Sequence, residues 1–370
     1  MTLRPAPGDD RDAIRVGMLG YGFMGTAHSN ALKTLSYMFP DGPRPDLRAI
    51  AGRSEDAVRR AATRFGWEQY TTDWRDIVAD PDIQVFDNVG PDAAHFEPTL
   101  AAIEAGKHVV CEKPLATTVA EAARLVDAAE AAGVKNLTCF NYRFVPAVRL
   151  AHDIIANGDL GEIYSASFRY AQEWRTDPEA ELPTWTGALS VIGCHAVDQA
   201  RYLVGELDSV SAILSNPVTS ADRAEPIDTV ASIVQFSGGA TGDIGASLIA
   251  PGRRNRLGWE INGSKGSLVW DLENLNVLKA FTRTGGPLDG FADVIVNESQ
   301  HPLVGAWWPS GHILGWEHSH VNMLAHFLAA VADGGEVGPE AATFADGLAA
   351  AKVAEAITRS SETGERTAVS

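Results

Sequence analysis

Ile14-Arg-Val-Gly-Met-Leu-Gly-Tyr-Gly-Phe-Met-Gly25 is the stretch whose reading decides the fold. An apolar run leads straight into Gly20-x-Gly22-x-x-Gly25, and an amphipathic pattern follows. This is the outline of a strand turning sharply into a helix, as a dinucleotide-binding unit requires. Gly20 permits the bend, Gly22 lets backbone approach a pyrophosphate, and Gly25 lets the new helix lie close against the strand. Phe23 and Met24 share that turn and count with it as cofactor contacts. The first N–H groups of the helix and its positive dipole end face the anion. A glycine-rich turn alone is weak evidence, so the strand before it and the helix after it carry the reading.

At 370 residues the chain exceeds what one core usually serves, and two domains are expected. Apolar residues make up 45% and charged residues 21%, a balance that fits a globular protein rather than a disordered one. The formal charge of -18 disfavours nucleic acid and anionic membrane surfaces as partners. The opening Met1 to Asp10 carries no apolar leader, no later run is long enough to span a bilayer, and a cytoplasmic protein is expected. Cys111, Cys139 and Cys194 are odd in number, widely separated and set among apolar residues, which predicts reduced, buried thiols.

Strand and helix patterns alternate from Ile14 to about Phe140. Leu47 to Ala51, Ile83 to Val89, Lys107 to Cys111 and Asn136 to Phe140 read as strands, with helices from Phe23, near Ser54, over Ala93 to Ala105 and over Val119 to Ala132. Repeated βαβ units predict a parallel, doubly wound Rossmann sheet over residues 1–140, in an α/β protein. Val145 to Asn157 reads as a further helix, after which strands come in succession. They are Ile163 to Tyr170, Val210 to Leu214, Thr229 to Phe236, Thr241 to Ile249, Leu257 to Asn262 and Ser267 to Asp271. Gly238-Gly239 and Asn262 to Gly266 supply turns between them. Residues 141–370 therefore predict an α+β domain with a large, mostly antiparallel open sheet, for substrate binding and oligomerisation. Helices over Glu317 to Val331 and Phe344 to Ser360 close the chain, with Glu362 to Ser370 as a loose tail.

A second group of residues carries chemistry. Glu112-Lys113-Pro114 ends a predicted strand at the edge where doubly wound sheets bind ligands, so Lys113 can reach a cofactor's reactive end. Gly187 to Leu203 opens a helix with His195, Asp198 and Gln199 at i, i+3 and i+4. These segments resemble the glucose-fructose oxidoreductase / inositol dehydrogenase / MocA family of sugar oxidoreductases over nearly the whole chain. The resemblance runs through GxGxxG, Gly90-Pro91-Asp92-x-x-His95, Glu112-Lys113-Pro114, Asn141-Tyr142-Arg143, Gly193-x-His195-x-x-Asp198 and Gly263-x-Lys265-Gly266. It implies Lys113 as the catalytic lysine, His195 as a catalytic or substrate-binding histidine, a cis Lys113–Pro114 peptide, and cofactor contacts at Pro91, His95, Glu112 and Lys113.

One position departs from the family pattern. Val191 stands where an aspartate is common, one helical turn before His195, so a carboxylate that could hold the histidine's tautomer or take a hydroxyl proton is absent. Either His195 with Lys113 moves the proton, helped by Asp198 or a water, or ordinary dehydrogenation has been lost. In the first case His195, titrating near neutrality, is the base, and a lysine pKa lowered by partial burial shares the proton.

Lys113, Tyr142, Arg143, Tyr170, Val191, His195 and Asp198 form the expected substrate site. Trp174, Trp185, Trp307, Trp308 and Trp316 offer faces for a sugar ring or, more plainly, packing surfaces. His312, Glu317, His318 and His320 lack a second cluster to complete a metal site, and no metal is expected. The expected reaction is hydride transfer between a nicotinamide cofactor and a hydroxyl of a sugar, polyol or glycoside. Glycoside cleavage by oxidation-elimination with recycled NAD, or a dinucleotide-binding regulator without turnover, are the alternatives. The second strand ends Gly52-Arg53-Ser54 without the acid that NAD-specific folds place there, which favours NADP over NAD. Arg53 can also stack on adenine, and Glu55 and Asp56 weaken an anion site. An open sheet face predicts a homodimer or homotetramer.

Overall fold

The computed structural model describes residues 13–176, 187–218 and 227–370. Trp185 and the opening ten residues lie outside them. The first strand, β1 (Ala13–Leu19), buries Ile14, Val16 and Met18 and gives way at the glycine turn to α1 (Phe23–Met38). Five more strands follow, β2 (Arg44–Ala51), β3 (Gln69–Thr71), β4 (Val85–Asn88), β5 (His108–Cys111) and β6 (Asn136–Thr138). They form a wholly parallel sheet in the order β3-β2-β1-β4-β5-β6, the doubly wound order with its switch point between β1 and β4. Helices α2 (Glu55–Phe65), α3 (Trp74–Ala79), α4 (Phe96–Glu104) and α5 (Val119–Ala132) connect the strands.

Local chemistry explains the boundaries. Ser54 takes the N-cap position of α2, with Glu55 and Asp56 in its first turn and Gly66 in the left-handed region closing it. In α5 the Thr118 hydroxyl accepts from the Glu121 N–H. The strand β2 starts earlier than its apolar run, at Arg44, and carries Pro45. That proline is tolerated because β3 pairs only with residues 49 to 51 of β2.

After α6 (Pro146–Ala156) the texture changes as expected. A nine-stranded sheet is built from β7 (Ile163–Ala171), β8 (Leu207–Ser215), β9 (Thr229–Phe236), β10 (Thr241–Ser247), β11 (Arg256–Gly263), β12 (Gly266–Asp271), β13 (Val277–Thr282), β14 (Ala292–Ile295) and β15 (Thr367–Ala368). Its order is β14-β13-β12-β11-β7-β10-β9-β8-β15, antiparallel at every pairing except β7 with β10. The helix α7 (Cys194–Leu203) covers the inner face, entered through a π-helical turn at Leu189–Gly193. The tail is not loose. Thr367 and Ala368 pair with Val210 and Ser209 at the sheet edge, and the last helix runs on to Thr363.

The two closing helices bind the halves together. Helix α8 (Trp316–Asp333) sends Val321, Met323, Leu324, Phe327 and Leu328 into the same core cluster as Ile14 and Val16 of β1 and Leu32 and Leu35 of α1. Helix α9 (Phe344–Thr363) packs on α5 and β8, and the Ala342 carbonyl accepts from the Thr138 N–H at 2.8 Å. One hydrophobic cluster therefore joins residues from both sides of position 140. Phe327 is fully buried at this junction. Phe327→Ala is expected to destabilise the protein by about 3–5 kcal/mol, measured by urea unfolding, with a loss under 1 kcal/mol contradicting the packing role.

Candidate active site

The turn after β1 has the form a pyrophosphate needs. Gly20 sits at φ 114°, and a Cβ there would stand 2.7 Å from the Val89 carbonyl oxygen. A Cβ on Gly25 would meet the Gly20 oxygen at 2.6 Å, which is how closely helix and turn approach. A Cβ on Gly22 would meet nothing within 4 Å, so the space above the turn is open, and no side chain caps α1. These residues fit a dinucleotide. Met24 packs against the first-sheet core, whereas Phe23 is 73% exposed and stacks on Trp316 with ring centroids 5.4 Å apart. Arg53 and Ser54 are exposed where β2 ends, and Arg53 makes no ion pair among the described residues.

The loop after β4 is pinned from below. Buried Asn88 donates to the carbonyls of Ala94 and His95 and to the Thr99 hydroxyl, and its Oδ1 accepts from the Gly90 N–H. Pro91 is exposed at the start of the short helix Asp92–Ala94. His95 is buried, with Nδ1 2.6 Å from the Pro114 carbonyl and Nε2 3.0 Å from that of Gly90. Both nitrogens therefore donate. Burial alone would lower its pKa, but Cys111 and the Pro114 carbonyl raise it to about 9. His95 is thus a brace between two loops, with both ring nitrogens engaged by backbone carbonyls.

Glu112 and Lys113 follow β5, and the Lys113–Pro114 peptide is cis. The buried Glu112 carboxylate accepts the Lys113 N–H at 3.0 Å through one oxygen and faces His28 Nε2 at 3.2 Å through the other. Its pKa is held at about 2, because His28 and Lys113 outweigh the burial that would raise it. The Lys113 ammonium donates to the Val191 carbonyl at 2.9 Å, a contact between residues 78 positions apart. Burial pulls its pKa down, but Cys194, Glu112, Asp92 and Tyr142 together carry it above 10.5. Lys113 therefore stays an ammonium, contrary to the expectation that partial burial would lower it.

The π-helical turn brings the Val191 backbone to that ammonium and leads into His195. The imidazole is buried among Phe140, Tyr142 and Tyr170, with ring centroids 5.8, 4.8 and 6.0 Å away. Its Nδ1 has no hydrogen-bond partner among the described residues. Burial and the Lys113 charge push its pKa well below 6.5, so the ring is neutral rather than titrating near pH 7. A chain of hydrogen bonds leads outward from this point. Tyr142 and Tyr170 share one at 2.9 Å, Tyr170 donates to Asn255 at 2.7 Å, Gln172 donates to the same oxygen at 2.6 Å, and Trp174 donates to Gln172 at 2.6 Å. Asn255 and Gln172 were not singled out in the sequence, where nothing local marks them.

Two expected substrate contacts are committed elsewhere. Arg143 and Asp198 are 2% and 1% exposed and grip one another through bonds of 2.6 to 3.1 Å, with Asp346 a third member at 3.0 Å from the guanidinium. A charge taken into a core must be paired, and this pairing consumes both side chains. Asp198 therefore does not orient His195. Trp307 packs edge-on against Phe39 and donates to Asn322, so it is a packing residue, while Trp316 stands between Phe23 and His320. Trp308 is half exposed. His312 bonds the Pro309 carbonyl, His318 accepts from the Gly315 N–H, and His320 lies inside against His28. All three cysteines are buried free thiols. A cavity of about 730 Å³ opens beside Pro114, Phe140, Ser190, Cys194 and α9, with neither Lys113 nor His195 in its lining.

Comparison with known proteins places this geometry. Residues 14–140 match the model described as oxidoreductase family, NAD-binding Rossmann fold, and residues 148–269 match the GFO/IDH/MocA C-terminal domain. The chain is 37% identical to levoglucosan dehydrogenase of Pseudarthrobacter phenanthrenivorans, covering 94% of this chain and 96% of that one. A solved levoglucosan dehydrogenase in complex with NADH and levoglucosan is 35% identical with a TM-score of 0.93, over 97% of this chain and 100% of the other. An oxidoreductase domain protein from Kribbella flavida is 38% identical with a TM-score of 0.92, over the same shares. Among the described residues no helix is long and apolar enough to cross a membrane.

Because the Arg143 guanidinium and the Asp198 carboxylate are buried on one another, Arg143→Met is expected to cost about 3–5 kcal/mol by leaving Asp198 unpaired. Chemical denaturation checks this. Full stability with weakened sugar binding would return Arg143 to the substrate site.

Proposed function

The chain belongs to the GFO/IDH/MocA oxidoreductase family, and we propose that it oxidises a ring hydroxyl of a pyranose sugar or related polyol, with Lys113 and His195 handling the oxygen and its proton. The observation that carries this is the convergence, at the ligand-binding edge of the first sheet, of a charged lysine and a neutral histidine whose Nδ1 has no hydrogen-bond partner among the described residues. When bound, the nicotinamide supplies the hydride acceptor. The Gly20 to Gly25 turn, Arg53, Ser54, the loop at Pro91, and Glu112 with Lys113 would hold the cofactor.

The proton steps follow from the charges. The Lys113 ammonium carries three donors, and only one is engaged with Val191, so it can also donate to the substrate oxygen and favour alkoxide character there. His195, neutral beside that cation, accepts the hydroxyl proton. Without a carboxylate on its Nδ1 the ring is free to take either tautomer, which is how the chain works with Val191 where an aspartate is common. Tyr142, Tyr170, Asn255, Gln172 and Trp174 offer the hydroxyl, amide and ring groups that a polyhydroxylated ring needs. Similarity to levoglucosan dehydrogenase supports an anhydropyranose as the first substrate to try.

For the cofactor, Arg53, which makes no ion pair among the described residues, supports NADP. Glu55 and Asp56 beside it, and the NADH held by the similar solved enzyme, support NAD, with Arg53 against the adenine. We take NAD as the working cofactor. Self-association through the uncovered face of the nine-stranded sheet completes the proposal, since Ile213 and Ile233 stand 71% and 69% exposed on paired strands.

Levoglucosan, aldoses and inositols assayed with NAD and NADP test the reaction, and no turnover with any despite tight cofactor binding would point to a regulator. Lys113→Ala and His195→Ala are each expected to lower kcat by on the order of 10² to 10⁴ with cofactor binding kept. A higher kcat/KM for NADP that falls in Arg53→Ala would overturn the choice of NAD. His195 gains its proton only below 6.5 and Lys113 loses its own only above 10.5. The kcat/KM profile for oxidation is therefore expected to be flat from about pH 7 to 10, and a limb near pH 7 to 8 would contradict the assignment. Light scattering is expected to give a dimer or tetramer, and a monomer at micromolar concentration would refute association.

A further inference from the structure

Beneath Lys113 lies a buried charge bridge that the reaction does not itself require. His28, on the inner face of α1, is 0% exposed. Its Nδ1 lies 2.9 and 3.1 Å from the two oxygens of Asp87 on β4, and its Nε2 lies 3.2 Å from Glu112 Oε1. Asp87 and Glu112 are 1% and 5% exposed. A neutral imidazole has one donor and one acceptor nitrogen, and an ionised carboxylate only accepts. Two carboxylates can therefore both be satisfied only by an imidazolium. The same bonds occupy both ring nitrogens, so no lone pair is left for an ion, although Cys139 Sγ is also close.

We propose that His28 is a positioning residue for the hydride-transfer site: as a buried imidazolium it keeps Glu112 ionised and fixed against the Lys113 N–H, and so holds the Lys113 ammonium in place. This rests on the reading of Lys113 given above. The alternative for His28, simple helix packing, would be met by any apolar side chain of its size, whereas a helix that carries a cation between two acids is specific.

The charges around the bridge are few. Glu112 faces His28 on α1, Asp87 on β4 through that imidazole, Cys139 after β6, His320 on α8 and Lys113 on its own loop. Cys139 is a thiol held protonated by burial, and His320 is neutral because burial and His28 drive its pKa to about 3. His28 is thus the cation that keeps Asp87 and Glu112 from sharing a proton. Remove it, and two carboxylates are left together in a dry site, where one takes up a proton from solvent near neutrality. The two carboxylates then share that proton, so Glu112 carries its charge only part of the time and its hold on Lys113 weakens.

The test uses His28→Gln and the double variant His28→Gln/Asp87→Asn. In His28→Gln, kcat/KM is expected to gain an acidic limb, falling about 10-fold or more between about pH 9 and 6, because a buried like-charge pair raises one carboxyl pKa by several units. Removing the second carboxylate in the double variant is expected to abolish that limb. A purely structural role would lower the rate equally at every pH, without rescue, and that result overturns the proposal. Infrared spectra add a readout independent of turnover: a protonated carboxylic acid band is expected in His28→Gln at about pH 6, absent from the wild type and from the double variant. Should His28→Gln fail to fold, ¹⁵N spectra of wild-type histidine decide, since His28 must be doubly protonated at pH 7 and a neutral ring sinks the idea. Failure of the Lys113 reading would show separately, as an active Lys113→Ala protein with the infrared and ¹⁵N results unchanged.

Discussion

The hydrogen bond from the Lys113 ammonium to the Val191 carbonyl, 2.9 Å long, is the constraint around which the two sheets are arranged. Lys113 belongs to the edge of the parallel sheet and Val191 to the turn that enters α7 against the antiparallel one. An ammonium drawn partly out of water needs acceptors and counter-charge, and here both sides supply them. Glu112 provides charge from its own loop, and the π-helical turn provides a carbonyl dipole from across the cleft. For that to hold, the halves must be docked rigidly. The shared core of α1 and α8, the Asn141 amide on Ser319 at 2.8 Å, and the Thr138–Ala342 backbone bond do this.

The interior separates groups that stay charged from groups that stay neutral. Asp87, His28, Glu112 and Lys113 form an alternating series in which every charge has an opposite neighbour. His195 and His320, buried without a carboxylate in hydrogen-bond contact, are left neutral. Burial acts on His28, His95, His195 and His320 in the same direction, so the partner decides the outcome. The proposed proton transfer rests on this contrast, a neutral His195 beside the Lys113 ammonium. The Arg143–Asp198–Asp346 cluster obeys the same rule, its charges paired with one another.

What local sequence could reveal follows from the range of each interaction. The glycine turn, the strands of the first sheet and most of the second are short-range patterns, and the tight bend at Gly20 and the close approach at Gly25 could be read from them. Lys113 and His195 stood out because strand-end and helix context surround them. The strand β3 has three residues, and β13 and β14 carry too little alternation to stand clear of their loops. Thr367 and Ala368 read as a tail because an edge strand of two residues has no pattern of its own. The pairings decided everything else. Arg143 finds Asp198 55 positions away and His28 finds Glu112 84 positions away, and neither partner can be inferred from its neighbours. A histidine beside Ser29 on the apolar side of α1 was the one local sign that something polar lay beneath.

The most direct test of the account is a crystal structure of the ternary complex with cofactor and a turned-over sugar. The expected result is one sugar hydroxyl oxygen within about 2.6–3.2 Å of both the Lys113 ammonium and an imidazole nitrogen of His195, with its C–H directed at the nicotinamide. Lys113 would keep its bond to the Val191 carbonyl. A sugar whose reacting hydroxyl met Arg143 or Asp198 instead, with Lys113 and His195 out of reach, would contradict it.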